Sequence, residues 1–333
     1  MNICFLLADK ESLVISETIL KVIRRDNAVI TAGNGCTLHI PFRRSVMDFF
    51  NPVIWLDCWA LCGKYDMVIA STPIPSLMLG MLSRLRPKAR IVILVRGLLF
   101  LRKGWYNRYL LRLEKFLYVG ADRLITISHC MTQEFIRKRS DVLQTMPGSS
   151  NGIEIKRFLN DEPVVSEELR EVLCVGRVTR DKGYGNIIKL AKARPHLNFT
   201  VVGPSEDKEL LEALCGLQNV KWVDKTYLDA TFYSRFDLFM HLSYREGFGN
   251  VIVEARLAGL PVIAWDIAGV RSSVGSNGVL LKVDDLFGLM KTLDNWDLVK
   301  EKTNLLESQI DAKRFSIENV EESWKRILNQ HLV

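Results

Sequence analysis

No stretch of eighteen or more apolar residues occurs in the 333 residues of the chain, so no segment is predicted to cross a membrane as a helix. No C-x-x-C occurs either. The seven cysteines (Cys4, Cys36, Cys58, Cys62, Cys130, Cys174 and Cys215) are odd in number and irregular in spacing. That pattern indicates neither a zinc ribbon nor a disulfide framework, and reduced thiols are the expectation. A G-x(4)-G-K-[ST] phosphate loop is missing. G-N-G-C-T-L at Gly33–Leu38 is only part of a dinucleotide fingerprint, because its last glycine is absent. The five histidines show no ligand spacing, and no D-x-D offers paired carboxylates to a metal. Neither a metal nor a cofactor is expected. The N-terminal MNICFLLADKES has no basic n-region, and its short apolar run reads as a first strand rather than a signal peptide. There is no internal repeat and no low-complexity tract.

What is present is ordinary globular material, 48% hydrophobic and 25% charged, in a chain long enough for two domains. The charge is uneven. Residues 1–150 hold 21 Lys+Arg against 11 Asp+Glu, a balance of +10, while the rest of the chain is at −3. A basic N-terminal half suggests an anionic partner there: nucleic acid, a phospholipid surface or a phosphorylated substrate. A solvated basic face without a partner is the plain alternative.

Short apolar runs alternate with helix-period segments twice over. Ile3–Leu7, Ala28–Thr31, Met67–Ala70, Arg90–Val95 and Leu124–Ile127 read as strands in the first half. Ser76–Leu85 and Tyr106–Tyr118 read as helices between them. At 142–157 the pattern breaks into a linker rich in Pro, Gly, Ser and Asn. The alternation resumes with Val172–Val175, Phe199–Val202, Val220–Val223, Leu238–Leu242, Val262–Ala264 and Val279–Val283. This predicts an α/β protein of two doubly wound domains facing a cleft, with ligands at the carboxyl ends of the strands. The expected boundaries are 1–150, 151–315 and a closing helix at 316–333.

One stretch concentrates chemistry. Tyr244–Asp266 reads YREGFGNVIVEARLAGLPVIAWD. Glu246 falls in the loop after a strand, and Glu254 eight residues on falls in the helix that follows. Asn250 is the predicted N-cap, with Gly259 the stop and Pro261 the opening of the next strand. Gly247 and Gly249 let the backbone approach a ligand closely. A carboxylate accepts two hydroxyl donors side by side, which is what a ribose or sugar diol presents.

The pattern E-G-F-G-x(4)-E-A-x(3)-G-x-P-V-I-A resembles the E-x7-E signature of family 4 retaining glycosyltransferases, whose GT-B fold is two Rossmann-like domains facing a cleft. LCVGRVTRDKGYGN at Leu173–Asn186 resembles the family's G-R-x(4)-K-G, and SNGI at Ser150–Ile153 its N-G-[VI] at the domain crossing. The resemblance covers the C-terminal half. It implies that Glu254 holds the donor ribose and Glu246 contacts the transferred sugar. Arg177 and Lys182, after Gly176, would bind the donor diphosphate, and Gly247, Phe248, Gly249 and Asn250 would complete the donor site. Two cations at a departing diphosphate stabilise the charge that grows as the sugar–oxygen bond breaks. The implied catalytic set is Glu246, Arg177 and Lys182, without a metal.

The N-terminal half departs from the family. Its first loop, LLADKESL, has no glycine pair, and Arg96 precedes Gly97 where many members carry a histidine. Arg96 and Gly97 are candidates for an acceptor or donor phosphate. Arg102, Lys103, Arg108 and Arg112 are interleaved with Trp105 and other aromatics on a helical period. That mixture suits an anionic membrane interface. The implied function is a metal-independent retaining hexosyltransferase that uses a nucleotide-sugar, a UDP-sugar favoured. Its acceptor would be a saccharide, a lipid-linked one in O-antigen, capsule or other surface-polysaccharide assembly. The protein would sit in the cytoplasm at the inner face of the membrane. The alternatives are a sugar-nucleotide epimerase of the same fold, and a non-catalytic module that binds nucleic acid through the basic half.

Overall fold

The computed structural model describes residues 3–7, 36–39, 49–71, 73–95, 105–118, 120–127, 132–133, 143–145, 148 and 152–329. The chain divides into two compact units, Met1–Gly152 with Glu318–Val333, and Ile153–Ile317. The last helix, Ile317–Asn329, therefore groups with the first unit and not with the unit it follows in sequence.

Each unit holds one parallel sheet of six described strands. In the first unit these are β1 (Ile3–Leu7), β2 (Cys36–His39), β3 (Met67–Ala70), β4 (Arg90–Val95), β5 (Arg123–Thr126) and β6 (Leu143–Thr145), in the order β2-β1-β3-β4-β5-β6. All four residues of β3 are buried, as are the last five of β4. That is why both read as unbroken apolar runs instead of alternating ones. Helix Pro52–Lys64 starts where Asn51 Oδ1 accepts from the Val53 amide at 3.0 Å and Pro52 supplies a preset φ.

The second unit carries β7 (Glu171–Val175), β8 (Asn198–Val202), β9 (Val220–Val223), β10 (Leu238–His241), β11 (Val262–Trp265) and β12 (Val279–Leu281), in the order β12-β11-β10-β7-β8-β9. Strand order reverses between β7 and β10. The loops leaving these two neighbours turn to opposite sides and open a crevice at their carboxyl ends. The expected α/β class, with two Rossmann-like halves, is what the chain forms.

The linker read at 142–157 contains β6, which joins the sheet edge beside β5, and the short helix Ile155–Phe158. Three strand residues ahead of Pro147 are too few to show an apolar period. Part of the Gly33–Leu38 stretch is β2, an edge strand and not a nucleotide loop. The predicted strand Ala28–Thr31 lies outside the described residues. Among the described residues no helix is long and apolar enough to cross a membrane.

Helix Asn250–Leu257, which carries Glu254, is fixed at both its end and its flank. Its end is a Schellman arrangement: the Leu260 amide donates to Ala255 O at 3.0 Å and the Gly259 amide to Arg256 O at 3.1 Å, with Gly259 at φ 81°. Its flank is anchored by Arg256, 1% exposed. The guanidinium donates to Ser308 Oγ (2.9 Å), Ser308 O (2.8 Å), Ser273 O (2.7 Å) and Asp311 Oδ2 (2.7 Å). One side chain thus ties the helix to Leu305–Ala312 and Ala268–Val274. Arg256→Ala is expected to lower unfolding free energy by about 3–5 kcal/mol, because Asp311 and two carbonyls lose their donor in a buried setting. Urea denaturation of the two proteins measures this.

Candidate functional site

The crevice is built by two loops that lock to each other. After β7 the chain passes Gly176 and Arg177, buries Val178, and makes a single 3-10 turn at Arg180–Lys182 before helix Tyr184–Ala193. After β10 it runs through Ser243–Gly249 into helix Asn250–Leu257. The Asp181 carbonyl accepts from the Tyr244 amide (2.9 Å) and from Ser243 Oγ (3.3 Å). Gly183 lies so close to the second loop that an added Cβ would fall 2.0 Å from Leu242 O, and its φ is 78°. Only glycine meets both demands. The 3-10 turn is therefore pressed onto the start of the glutamate loop.

That contact brings Lys182 to Glu246, although 64 residues separate them. Lys182 Nζ donates to Glu246 Oε2 at 2.5 Å, with side chains 16% and 20% exposed. His241, the last residue of β10 and 5% exposed, places Nε2 3.3 Å from the same oxygen. That contact falls short of hydrogen-bond geometry, and Nε2 has no other hydrogen-bond partner. Burial on its own would raise the Glu246 carboxyl. The approach of His241 and the Lys182 charge outweigh it and hold the group at about 2, against an ordinary 4.5.

Glu254 is held differently. Tyr233, in the short helix Ala230–Tyr233, donates its hydroxyl to Glu254 Oε2 at 3.0 Å. Burial raises this carboxyl, while the Tyr233 bond and the Arg157 charge pull it back only in part. Arg157 is itself pinned: its Nε donates to Leu228 O at 2.7 Å and its guanidinium lies 4.3 Å over the Tyr227 ring. Glu246 and Glu254 thus sit in opposed environments, one ionised by a cation, the other pushed toward neutrality by burial.

The remaining predicted residues divide. Gly249, at φ 85°, is the cap of helix Asn250–Leu257, and Asn250 is its first residue. The expected Asn250 cap is thus corrected: the left-handed conformation open to Gly249 lets the helix begin one residue early. No side chain caps that end; the Ile252 amide turns back to Gly249 O at 3.0 Å, and the positive end of the helix dipole lies at Asn250 and Val251. Phe248 turns into the core, edge-on to Phe315 at 4.8 Å. Gly176 O accepts from Tyr184 Oη at 2.8 Å. Arg177 is half exposed and reaches Glu206 Oε1 at 2.8 Å, not Glu246. Arg112 is exposed on helix Trp105–Tyr118. Arg96, Gly97, Arg102 and Lys103 lie outside the described residues, as do the side chains of Trp105 and Arg108.

Sequence reading missed His241, Tyr233 and Arg157. A search for metal-ligand spacing passes over His241, whose signal is its place at the carboxyl end of the strand that leads into Glu246. Tyr233 and Arg157 carry no local signal, because their partners lie 21 and about 70 residues away along the chain.

The two carboxylates predict opposite pH dependences. The Glu246 group is lowered on folding, so its pairing stabilises fully above its ordinary 4.5 and is lost as pH falls toward 2. The Glu254 group is raised, so folding gains from it as pH drops. Glu246→Gln is expected to lower stability at pH 7 by about 1–3 kcal/mol, the usual loss for a charge-assisted bond. It should also flatten the acid limb. Urea midpoints of wild type and variant that diverge as pH drops from 5 to 3 would contradict this.

Comparison with known proteins adds an independent line. Residues 156–316 match the family "Glycosyl transferases group 1", and residues 23–145 match the "Glycosyl transferase 4-like domain". The capsular polysaccharide biosynthesis glycosyltransferase CapM of Staphylococcus aureus is 25% identical over 280 residues, 77% of this chain and 74% of its own. The O-antigen biosynthesis glycosyltransferase WbnH of Escherichia coli is 25% identical over 232 residues, 64% of this chain and 66% of its own. The Anabaena protein HepE, solved in complex with UDP and glucose, superposes with a TM-score of 0.71 at 19% identity, over 99% of this chain and 100% of that one.

Proposed function

The chain belongs to the family 4-type glycosyltransferases of the GT-B fold, and on that premise we propose that it moves a sugar from a UDP-sugar to a saccharide acceptor in surface-polysaccharide assembly. The observation that carries this reading is the meeting of Lys182 and Glu246 at the β7–β10 switch point, in the unit that also holds Glu254. The names of CapM and WbnH support the polysaccharide, and the UDP and glucose of HepE support the donor.

The chemistry follows from the charges. As the bond from the sugar to the diphosphate breaks, negative charge builds on the leaving phosphate. Lys182 is at hand to stabilise it. Arg177 reaches it by giving up Glu206, and the uncapped amides of helix Asn250–Leu257 add their dipole. Glu254 accepts from the ribose hydroxyls, positioned by Tyr233. A carboxyl held at about 2 is a feeble base at neutral pH. Glu246 therefore positions the sugar, and the departing phosphate takes the acceptor's proton on the same face, with retention of configuration. Lys182 and Arg177 supply the charge a divalent ion would bring, so no metal takes part.

The acceptor is lipid-linked, and the enzyme works at the inner face of the cytoplasmic membrane. Helix Trp105–Tyr118 supports this. It turns Tyr109, Arg112, Leu113 and Phe116 outward on one face, with the Arg84 guanidinium 4.2 Å over the Phe116 ring. Basic and apolar groups share this exposed face, as an anionic bilayer surface requires.

Four outcomes are expected. Glu254→Ala weakens UDP binding by about 1.5–3 kcal/mol, read by calorimetry. Glu246→Ala lowers transfer more than it lowers UDP affinity, and equal losses of UDP affinity in both variants would undo the division of roles. Transfer persists in excess chelator, whereas a strict need for added magnesium or manganese would overturn the metal-free reading. Finally, the protein co-sediments with anionic vesicles at low salt, is partly released at high salt, and binds them less after Arg108→Glu with Arg112→Glu. Indifference of the wild type to such vesicles would remove the membrane and the lipid-linked acceptor, not the donor site.

A further inference from the structure

Lys182 has two claims on it. In this structure its ammonium is spent on Glu246 Oε2, yet the donor-site reading gives the same ammonium to a diphosphate. When the phosphate takes it, Glu246 loses the charge that keeps a mostly buried carboxylate ionised. A buried carboxylate without a counter-charge is costly, so another group must answer. Two properties single out His241. Its Nε2 is 3.3 Å from the same Oε2 that Lys182 holds. And that nitrogen is buried without a partner, a cost that natural interiors seldom leave standing without a reason. The ring is kept in place by stacking on Phe239, with centroids 6.3 Å apart and planes 14° from parallel.

We infer that His241 is a positioning residue for Glu246 that works by gaining a proton: as the donor diphosphate draws Lys182 away, a solvent proton binds the His241 imidazole, and the imidazolium holds Glu246 Oε2 in the place of Lys182. This rests on the donor-site reading above. The proton comes from the buffer and no covalent bond to the donor is made in the step. The net charge beside Glu246 is restored, and Oε1, which has no hydrogen-bond partner among the described residues, stays turned to the sugar.

The surroundings leave few other sites for that proton. A small cavity lined by His241 and Lys182 is also lined by Cys174 from β7 and Tyr184 from helix Tyr184–Ala193. Burial pushes the Cys174 thiol up to about 12 and the Tyr184 phenol well above its usual 10. Both are already protonated at neutral pH. From the other side β11 brings Val262, Ile263, Ala264 and Trp265, none of them ionisable. In the loop, Arg245 faces Asp181 at 3.7 Å. The helix after it brings Glu254, whose carboxyl burial raises and whose Oε2 accepts from Tyr233. Glu246, Glu254 and His241 remain as proton acceptors. Of the three, only a charged His241 places a positive charge beside Glu246 Oε2.

The consequence is a donor affinity that depends on pH through a residue that need not touch the donor. Calorimetry of UDP binding, repeated in buffers of different ionisation enthalpy, counts the protons taken up. UDP brings its own phosphate titration, which cancels when two proteins are compared. His241→Gln keeps a side-chain donor for Glu246 that cannot charge. The wild type is expected to take up more protons per UDP than His241→Gln, by a difference approaching about one near the imidazole titration, and its affinity to fall more steeply with rising pH, by up to about tenfold per unit. Should the variant fail to fold, imidazole NMR of the wild type gives the same answer: the His241 ring should titrate at higher pH with UDP than without. Equal proton counts in the two proteins, or a His241 titration that UDP leaves in place, overturn the inference while the donor site stands. A wild type that does not bind UDP overturns the donor-site reading and this inference with it.

Discussion

A single ion pair organises the second unit's functional end. Lys182 and Glu246 come from loops that follow different strands, and they meet at 16% and 20% exposure. Everything nearby serves that meeting. The Asp181 carbonyl stitches the loops, Gly183 gives up its side chain so that the 3-10 turn can press on Leu242, and Gly249 starts the helix that carries Glu254. The pair is partly buried, which makes it strong in attraction and intolerant of losing one member. Any ligand that drew Lys182 away would leave a charge that another group had to answer.

The strand order explains why the pair forms at this point in the fold. In the sheet β12-β11-β10-β7-β8-β9 the only reversal falls between β7 and β10, and both signature stretches follow these two strands. Lys182 and Glu246 are thereby 64 residues apart in sequence and in contact in space. Arg256, in the same helix as Glu254, fixes the far side of the crevice by a network that has no part in the chemistry. Stability and function are separated within a single turn: Glu254 faces Tyr233, and two positions on Arg256 faces the core.

Much of this was legible in the residues. The strands β3 and β4 are read to the residue, because parallel strands buried on both faces give continuous apolar runs that end sharply. Glu246, Glu254 and Lys182 stand out through spacing that glycines punctuate. What was not legible shares one cause. β6 is three residues long, β2 lies at an edge, and Tyr233, Arg157 and His241 act through partners that only the folded chain brings near. The Asn250 cap was misread for a related reason: a propensity for capping is local, whereas the positive φ taken by Gly249 is imposed by the loop on its other side. Phe248 shows the same limit, since a motif position gives no sign that its ring points into the core.

The route of the chain has a consequence for biosynthesis. Ile153 pairs with Ser316 in a parallel bridge, its amide donating to Phe315 O at 2.9 Å and its carbonyl accepting from the Ile317 amide at 3.2 Å. The points where the chain enters and leaves the second unit are therefore adjacent, and that unit is in effect an insertion into the first. On the ribosome the order of completion is reversed relative to the order of synthesis. The inserted unit has every residue it needs once Ile317 has emerged. The first unit, although begun earlier, waits for residues 318–333. A nascent chain thus passes through a stage in which the later half is whole and the earlier half still lacks its final helix, and trimming of the C-terminus damages the unit that was made first.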